Sequence, residues 1–78
     1  MSPHFPAVTA KETLKVLLRL GFVIDRTTGS HYILRRESDR RQTVVPVHGN
    51  IILKRKTLKS ILNGAGLTVQ EFERLRKE

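Results

Sequence analysis

Histidine is the side chain best suited to move a proton near neutral pH, because an imidazole in a model peptide titrates at about pH 6.5. His31 follows Gly29 and Ser30, between two segments rich in β-branched and aromatic residues. A residue that leaves a hairpin turn is held by the sheet and can still face solvent. His31 is therefore a candidate general acid or base, and Gly29 and Ser30 are candidates for positioning it.

The other two histidines have weaker sequence contexts. His48 lies in the segment Val47-His48-Gly49-Asn50, which is typical of a turn. It could be a second proton-transfer group, but a hydrogen bond within its own loop is the favoured interpretation. His4 lies beside Pro3 near the amino terminus, and this context favours a surface histidine without a partner.

The chemistry open to an exposed histidine on a basic surface is proton transfer at a phosphodiester. RNA carries its own nucleophile, the 2′-hydroxyl, so a ribonuclease needs a base for that hydroxyl and an acid for the leaving oxygen. Cations must also stabilise the negative charge of the transition state. The residues alone do not decide the question, because a histidine at the start of a strand is more often structural.

The sequence lacks the motifs of several other kinds of catalytic or binding site. The chain contains no cysteine, no Gly-rich phosphate-binding loop and no serine in a nucleophile-elbow motif. Its histidines are too scattered to suggest a zinc site, so we expect no metal and no cofactor. Four aromatic residues are too few for a base-stacking platform, which predicts that binding depends on phosphates and shape.

Composition predicts a polyanionic partner. The chain has 78 residues, and 15 Lys and Arg against seven Asp and Glu give a net charge of +8. Nucleic acid, an anionic membrane surface or an acidic protein would each fit this charge. No apolar run approaches the ~20 residues that span a membrane and nothing resembles a signal peptide, so we expect a soluble cytoplasmic protein.

The positions of the basic residues indicate where an anion would bind. Lys11, Lys15 and Arg19 are spaced four residues apart and form one stripe of the first predicted helix. Further cations surround the start of a later helix, where the helix dipole disfavours positive charge by ~0.3–1 kcal/mol per residue. A bound phosphate would remove that conflict. The predicted phosphate contacts are Lys11, Lys15, Lys54, Arg55, Lys56 and Lys59.

The elements that must position these residues form a single domain, residues 9–78, after a loose amino-terminal arm, residues 1–8. Thr9 and Glu12 fit a capping box and predict a helix that runs to Leu20, with Gly21 as its C-cap. The apolar side of this helix is predicted to consist of Ala10, Leu14, Val16, Leu17, Leu18 and Leu20.

Three strands are predicted over residues 22–27, 32–36 and 42–47, with Thr28-Gly29 as the two-residue turn of the first hairpin. Pro46 predicts an edge strand or a strand end. An amphipathic helix follows, with an apolar face of Leu58, Ile61, Leu62 and Ala65 and an end near Gly64 or Gly66, and Thr68 and Glu71 cap a last helix. This order predicts an α+β fold, a three-stranded antiparallel sheet with helices on one face.

Three motifs resemble, in the same order, those of the HicA toxins, which are small bacterial mRNA interferases. They are Gly29-Ser30-His31, Val47-His48-Gly49-Asn50, and the segment from Thr57 to Leu67, and the resemblance covers roughly residues 14–72. It implies a fold similar to a double-stranded-RNA-binding domain and a metal-independent endoribonuclease that cleaves mRNA. It also implies that His31 is the catalytic histidine and that a cognate HicB-type antitoxin neutralises the protein.

The resulting hypothesis is a toxin endoribonuclease in which His31 is the acid–base group and the second proton carrier is His48 or water. Attack by the 2′-hydroxyl would yield a cyclic phosphate and a free 5′-hydroxyl. Two alternatives stay open. A non-catalytic RNA-binding module that recognises phosphates and shape needs the same basic faces, and an adaptor would use them only to dock an acidic protein.

Overall fold

A computed structural model describes residues 5–78 as three helices on one side of a three-stranded sheet. The predicted α+β architecture is confirmed. In chain order the elements are α1 (Ala10–Arg19), β1 (Val23–Thr28), β2 (His31–Arg36), β3 (Arg41–Pro46), α2 (Arg55–Ala65) and α3 (Val69–Arg76).

The three strands form an antiparallel meander in the order β1-β2-β3. Each predicted strand is correct to within one residue, but the first turn is not Thr28-Gly29. Thr28 pairs with His31, so the turn residues are Gly29 and Ser30. Gly29 has φ +58 and Ser30 does not have a positive φ, which is the pattern of a type II′ turn. Pro46 is the last residue of β3, an edge strand, as predicted.

The helices cover β2 and β3 and leave β1 uncovered. Leu34 of β2 and Val45 of β3 are fully buried in the core, whereas all six residues of β1 are exposed. Alternation along β2 places Leu34 and Tyr32 on the helix face and His31, Ile33 and Arg35 on the opposite face. We call this opposite face, which no helix covers, the open face of the sheet.

The core consists of two adjacent apolar clusters. One joins α1, the sheet and α2 through Ala10, Leu17, Phe22, Leu34, Val45, Ile61 and Ala65. The other joins α1, α2 and α3 through Val8, Val16, Leu58, Leu62, Val69 and Phe72. The prediction that Phe22 and Phe72 belong to the core is confirmed.

The start of α1 is confirmed, but its apolar side differs from the prediction. Thr9 and Glu12 form the complete capping box, and Gly21 has φ +93 just after the C-cap residue, Leu20. Leu18, predicted to be buried, is 46% exposed because it points away from the sheet. Thr13 is fully buried instead, where its hydroxyl donates to the Thr9 carbonyl oxygen at 3.0 Å.

The segment before α1 packs against the segment before α2. Phe5 to Val8 contain no helix or strand, yet Val8 is fully buried and its carbonyl oxygen accepts a 2.8 Å hydrogen bond from Leu53. Thr9 forms an isolated antiparallel bridge with Ile52. The rest of the expected arm, residues 1–4 with His4, lies outside the described residues.

The two later helices begin and end as their sequences indicate. α2 starts one turn before Leu58, with Lys54 as its N-cap, and ends at Gly66 in the left-handed conformation. Thr68 and Glu71 form the second capping box, at the start of α3. Within residues 5–78, none of the helices is long and apolar enough to cross a membrane.

Candidate functional site

His31 is the first residue of β2 and is exposed to solvent. Its backbone is fixed on both sides, because it pairs with Thr28 of β1 and with Pro46 of β3. The type II′ turn at Gly29-Ser30 precedes it directly. The imidazole is therefore carried by the central strand of the sheet and remains accessible to a large ligand.

His48 lies beside the turn that precedes His31. The Val47 N–H donates a 2.7 Å hydrogen bond to the carbonyl oxygen of Ser30, which brings the loop after β3 against this turn. The Ser30 hydroxyl oxygen then lies 3.4 Å from Nε2 of His48. No local sequence pattern indicates this contact, because 18 positions separate the two residues.

The first turns of α1 and α2 lie at the same end of the sheet as His31. At the far end of β2, the Arg36 guanidinium donates to the carbonyl oxygen of Leu20, the C-cap of α1, at 3.0 Å. Gly66, the C-cap of α2, lies against Arg41, the first residue of β3. The first turns of α1 and α2 therefore lie at the other end of the sheet. We call that end, with Ser30, His31, Pro46 and His48, the histidine end.

The first turn of α2 carries positive charge without a local counter-charge. Its N-cap, Lys54, makes no side-chain hydrogen bond to the helix, and the first turn contains no acidic residue. Lys54, Arg55 and Lys56 are all exposed. The Arg55 guanidinium stacks over the Phe5 ring, 4.8 Å from its centroid, which leaves its charge available.

The acidic side chains that form salt bridges pair with arginines outside the first turn of α2. Asp39, in the turn between β2 and β3, binds Arg36 at 2.7 Å and Arg41 at 3.3 Å. The hydrogen bond from Arg36 holds the pKa of Asp39 below its usual value. Glu78 pairs with Arg19 at 3.3 Å. Asp39 and Glu78 thus neutralise arginines distant from the histidine end, whereas Glu12, in the first turn of α1, pairs with Arg76 at 3.6 Å. Among residues 5–78 no lysine takes part in a salt bridge.

The predicted phosphate contacts fall into two groups. Lys11, in the first turn of α1, and Lys54, Arg55 and Lys56 lie at the histidine end. Lys15 lies one turn further along α1 and lines a groove between α1 and α3. Lys59 lies one turn into α2 and lines a hollow beside the start of α3 with Phe5, Leu62, Asn63, Leu67, Thr68, Val69 and Gln70.

Two arginines that the sequence analysis did not select share the open face with His31. Arg35 lies four residues further along β2, and Arg26 of β1 pairs with Ile33, which lies between them. The period-two alternation of a strand would have indicated Arg35, because residues i and i+4 lie on one face. The charge of each arginine is partly offset by a neighbouring carboxylate. A guanidinium nitrogen of Arg35 lies 3.6 Å from a carboxylate oxygen of Glu37, and one of Arg26 lies 3.4 Å from a carboxylate oxygen of Asp25.

The arrangement can exchange protons and hold phosphates. The histidine end supplies one exposed imidazole on a rigid strand, a second imidazole beside the same turn, and lysines that form no salt bridge with any described residue. Over residues 5–78, no three His, Cys, Asp or Glu side chains are grouped so that they could hold a metal ion.

Comparison with known proteins identifies the family. No curated protein matches the chain. A family model, described as the HicA toxin of bacterial toxin–antitoxin systems, matches residues 10–67. The match spans α1, the sheet and α2, and so includes the Gly29–His31 turn, the His48 loop and the basic start of α2. The chain belongs to the HicA toxin family.

Proposed function

We propose that this toxin is an endoribonuclease that cleaves mRNA and so inhibits translation in the cytoplasm, with His31 as its acid–base group. The observation that carries the proposal is the exposure of the His31 imidazole at the end of the molecule where the uncompensated cations of α2 lie. A proton carrier and a phosphate-binding surface are the two requirements of this chemistry, and membership of a toxin family supports a damaging activity.

The reaction uses the nucleophile that RNA itself provides. A base takes the proton of the 2′-hydroxyl, whose oxygen attacks the adjacent phosphorus, and an acid protonates the departing 5′-oxygen. The products are a 2′,3′-cyclic phosphate and a free 5′-hydroxyl. Lys54, Arg55 and Lys56 stabilise the phosphorane charge or hold the neighbouring phosphates. This scheme uses only side chains and the substrate, so the proposal includes no metal and no cofactor.

Family membership also supports a protein partner that inhibits the toxin. The proposed partner is a cognate HicB-type antitoxin that covers the histidine end. A net charge of +8 favours an acidic inhibitor surface, because opposite charges accelerate association and orient the two proteins. Access to His31 would then be controlled by occupancy of the same surface that binds RNA.

Cleavage of RNA by purified protein in the presence of a chelator tests the enzyme against a non-catalytic RNA-binding module. Wild-type protein should generate cyclic-phosphate and 5′-hydroxyl ends. His31→Ala should lose cleavage while RNA binding persists, because removal of an acid–base group costs about 10²–10⁴-fold in rate. Ser38→Ala, an exposed substitution in the turn between β2 and β3 at the opposite end of the sheet, is the matched control. Cleavage that is undiminished in His31→Ala would contradict the assignment, and RNA binding without cleavage by wild type would establish the binding module.

A further inference from the structure

We infer that His48 is the second proton carrier of the proposed ribonuclease and that Ser30 positions it. The inference rests on the proposed function and adds a residue to it. Its basis is the 3.4 Å separation between the Ser30 hydroxyl oxygen and Nε2 of His48, together with the position of Ser30 directly before His31 in the chain.

The reaction needs two proton carriers because the entering and leaving oxygens occupy opposite sides of the phosphorus. The bond from the 2′-oxygen to phosphorus forms while the bond from phosphorus to the 5′-oxygen breaks. One group accepts the 2′-hydroxyl proton and another donates a proton to the 5′-oxygen, so protons and electron pairs balance without a further reactant. A single imidazole cannot be in both protonation states in the same step.

The fold places a second imidazole, from a different segment of the chain, beside the turn that precedes the first. Pairing of His31 with Pro46 sets the end of β3, and the 2.7 Å hydrogen bond from Val47 to Ser30 fixes the start of the loop that follows. A further backbone hydrogen bond, from Ile51 to the carbonyl oxygen of His48, closes this loop at 3.3 Å. His48 is therefore anchored on both sides, and its ring is exposed beside the turn that carries His31.

The hydrogen bond to Ser30 leaves one ring nitrogen of His48 for the substrate. Ser30 engages Nε2, so Nδ1 is the nitrogen that remains to exchange a proton. A hydroxyl can donate to a neutral imidazole and accept from a protonated one, which allows this contact to persist through a proton-transfer cycle. This is the behaviour expected of a positioning residue rather than of a loop contact that titration would break.

The pH dependence of cleavage tests the inference. Wild-type protein should show a bell-shaped profile of kcat/KM, with one limb for each proton carrier. His48→Gln retains a polar side chain within reach of Ser30 but cannot carry a proton at neutral pH. It should lower kcat by about 10²–10⁴-fold, remove one limb of the profile and leave RNA affinity unchanged. Ser30→Ala should lower kcat less and keep both limbs, and Ser30→Thr, which restores the hydroxyl, should recover the loss.

The outcomes separate this inference from the function on which it rests. Normal cleavage by His48→Gln, in a preparation where His31→Ala is inactive, would overturn the role of His48 and leave the ribonuclease assignment intact. A slower His48→Gln variant whose profile keeps both limbs would also overturn it, because His48 would then be structural. Wild-type protein that leaves RNA intact would overturn both proposals. Circular dichroism verifies that each variant is folded.

Discussion

The hydroxyl of Thr43 donates a 2.9 Å hydrogen bond to the carbonyl oxygen of Ile61, which joins β3 to α2 inside the core. Thr43 is only 5% exposed, so water cannot replace this bond. The contact fixes the position of α2 along β3 and hence the distance of its basic first turn from His31.

Thr43→Val should therefore destabilise the protein although it preserves side-chain shape. Loss of the buried hydrogen bond is expected to lower the free energy of unfolding by about 1 kcal/mol. In a domain of this size that corresponds to a decrease in Tm of about 4–8 °C. Thr27→Val, on the exposed strand β1, is the matched control and should stay within about 0.5 kcal/mol of wild type. Equal stability of the two variants would contradict the role of the Thr43–Ile61 bond.

Gly64→Ala should destabilise the protein although it lies inside a helix. Helix propensity alone favours alanine by about 1 kcal/mol. A Cβ at this position, however, would lie 2.9 Å from the backbone oxygen of Gln42 and 2.9 Å from the hydroxyl of Thr43. Relief of this overlap requires α2 to move away from β3, which typically lowers the free energy of unfolding by about 2 kcal/mol.

Urea unfolding of Gly64→Ala and Asn63→Ala separates these two effects. Asn63 is the exposed neighbour in the same helix, so its replacement gains propensity without a clash. Asn63→Ala should be slightly more stable than wild type and Gly64→Ala less stable. A gain in stability in both variants would show that α2 does not approach β3 as closely as described.

Asp39 should make stability depend on pH in the acid range. Its folded-state pKa is lowered mainly by the hydrogen bond from Arg36, so the unfolded chain binds a proton at a higher pH than the folded one does. The contribution to stability is therefore present above about pH 4, the ordinary aspartate value, and is lost as pH falls through the lowered folded value. Asp39→Asn should be less stable than wild type at neutral pH, and this difference should shrink as the pH falls below about 4.

Chemical unfolding of Asp39→Asn and Glu37→Gln at neutral and at acid pH measures this contribution. Glu37 lies in the same turn but its side chain is 82% exposed, with a single 3.6 Å contact to Arg35, so its replacement should have little effect. A difference between Asp39→Asn and wild type that persists undiminished in acid would assign the loss to packing rather than to ionisation.

Local sequence signals were sufficient for the helix ends but not for the first hairpin turn. Thr9 and Thr68 each have a glutamate three residues later, and this short-range chemistry determined both capping boxes. The first hairpin turn lies one residue later in the chain than predicted, at Gly29-Ser30, because the register of this hairpin also depends on contacts with β3. Ser30 accepts a hydrogen bond from Val47, a partner that no window around Gly29 contains.

Tertiary packing explains the remaining differences. Leu18 fits an apolar helix face by periodicity, but Leu17 is the residue that packs with Leu34 and Val45 of the sheet, so Leu18 is left exposed. The position of His48 was not predictable from its loop, because its partner Ser30 belongs to another hairpin. The basic start of α2 was recognisable from sequence, whereas its location at the histidine end depends on how α2 packs along β3.

Lysines at the start of α2 should determine how RNA binding responds to salt. If Lys54 and Lys56 each contact a phosphate, each alanine substitution should reduce the slope of log affinity against log salt by about 0.7, the value for one contact on a single strand. Affinity should fall similarly for RNAs of different sequence, because phosphate contacts do not read bases. Binding is measured in the His31→Ala background, so that cleavage does not remove the ligand.

Lys77→Ala is the matched control for charge. Lys77 follows α3, near Leu75, whose carbonyl oxygen accepts a 3.1 Å hydrogen bond from Arg19 in the last turn of α1. It therefore lies toward the opposite end of α1 from the histidine end. A slope that is unchanged in Lys77→Ala and reduced in Lys54→Ala and Lys56→Ala would locate the contacts at the start of α2. Equal reductions in all three variants would show that net charge alone governs binding, because a localised phosphate contact depends on where a lysine lies.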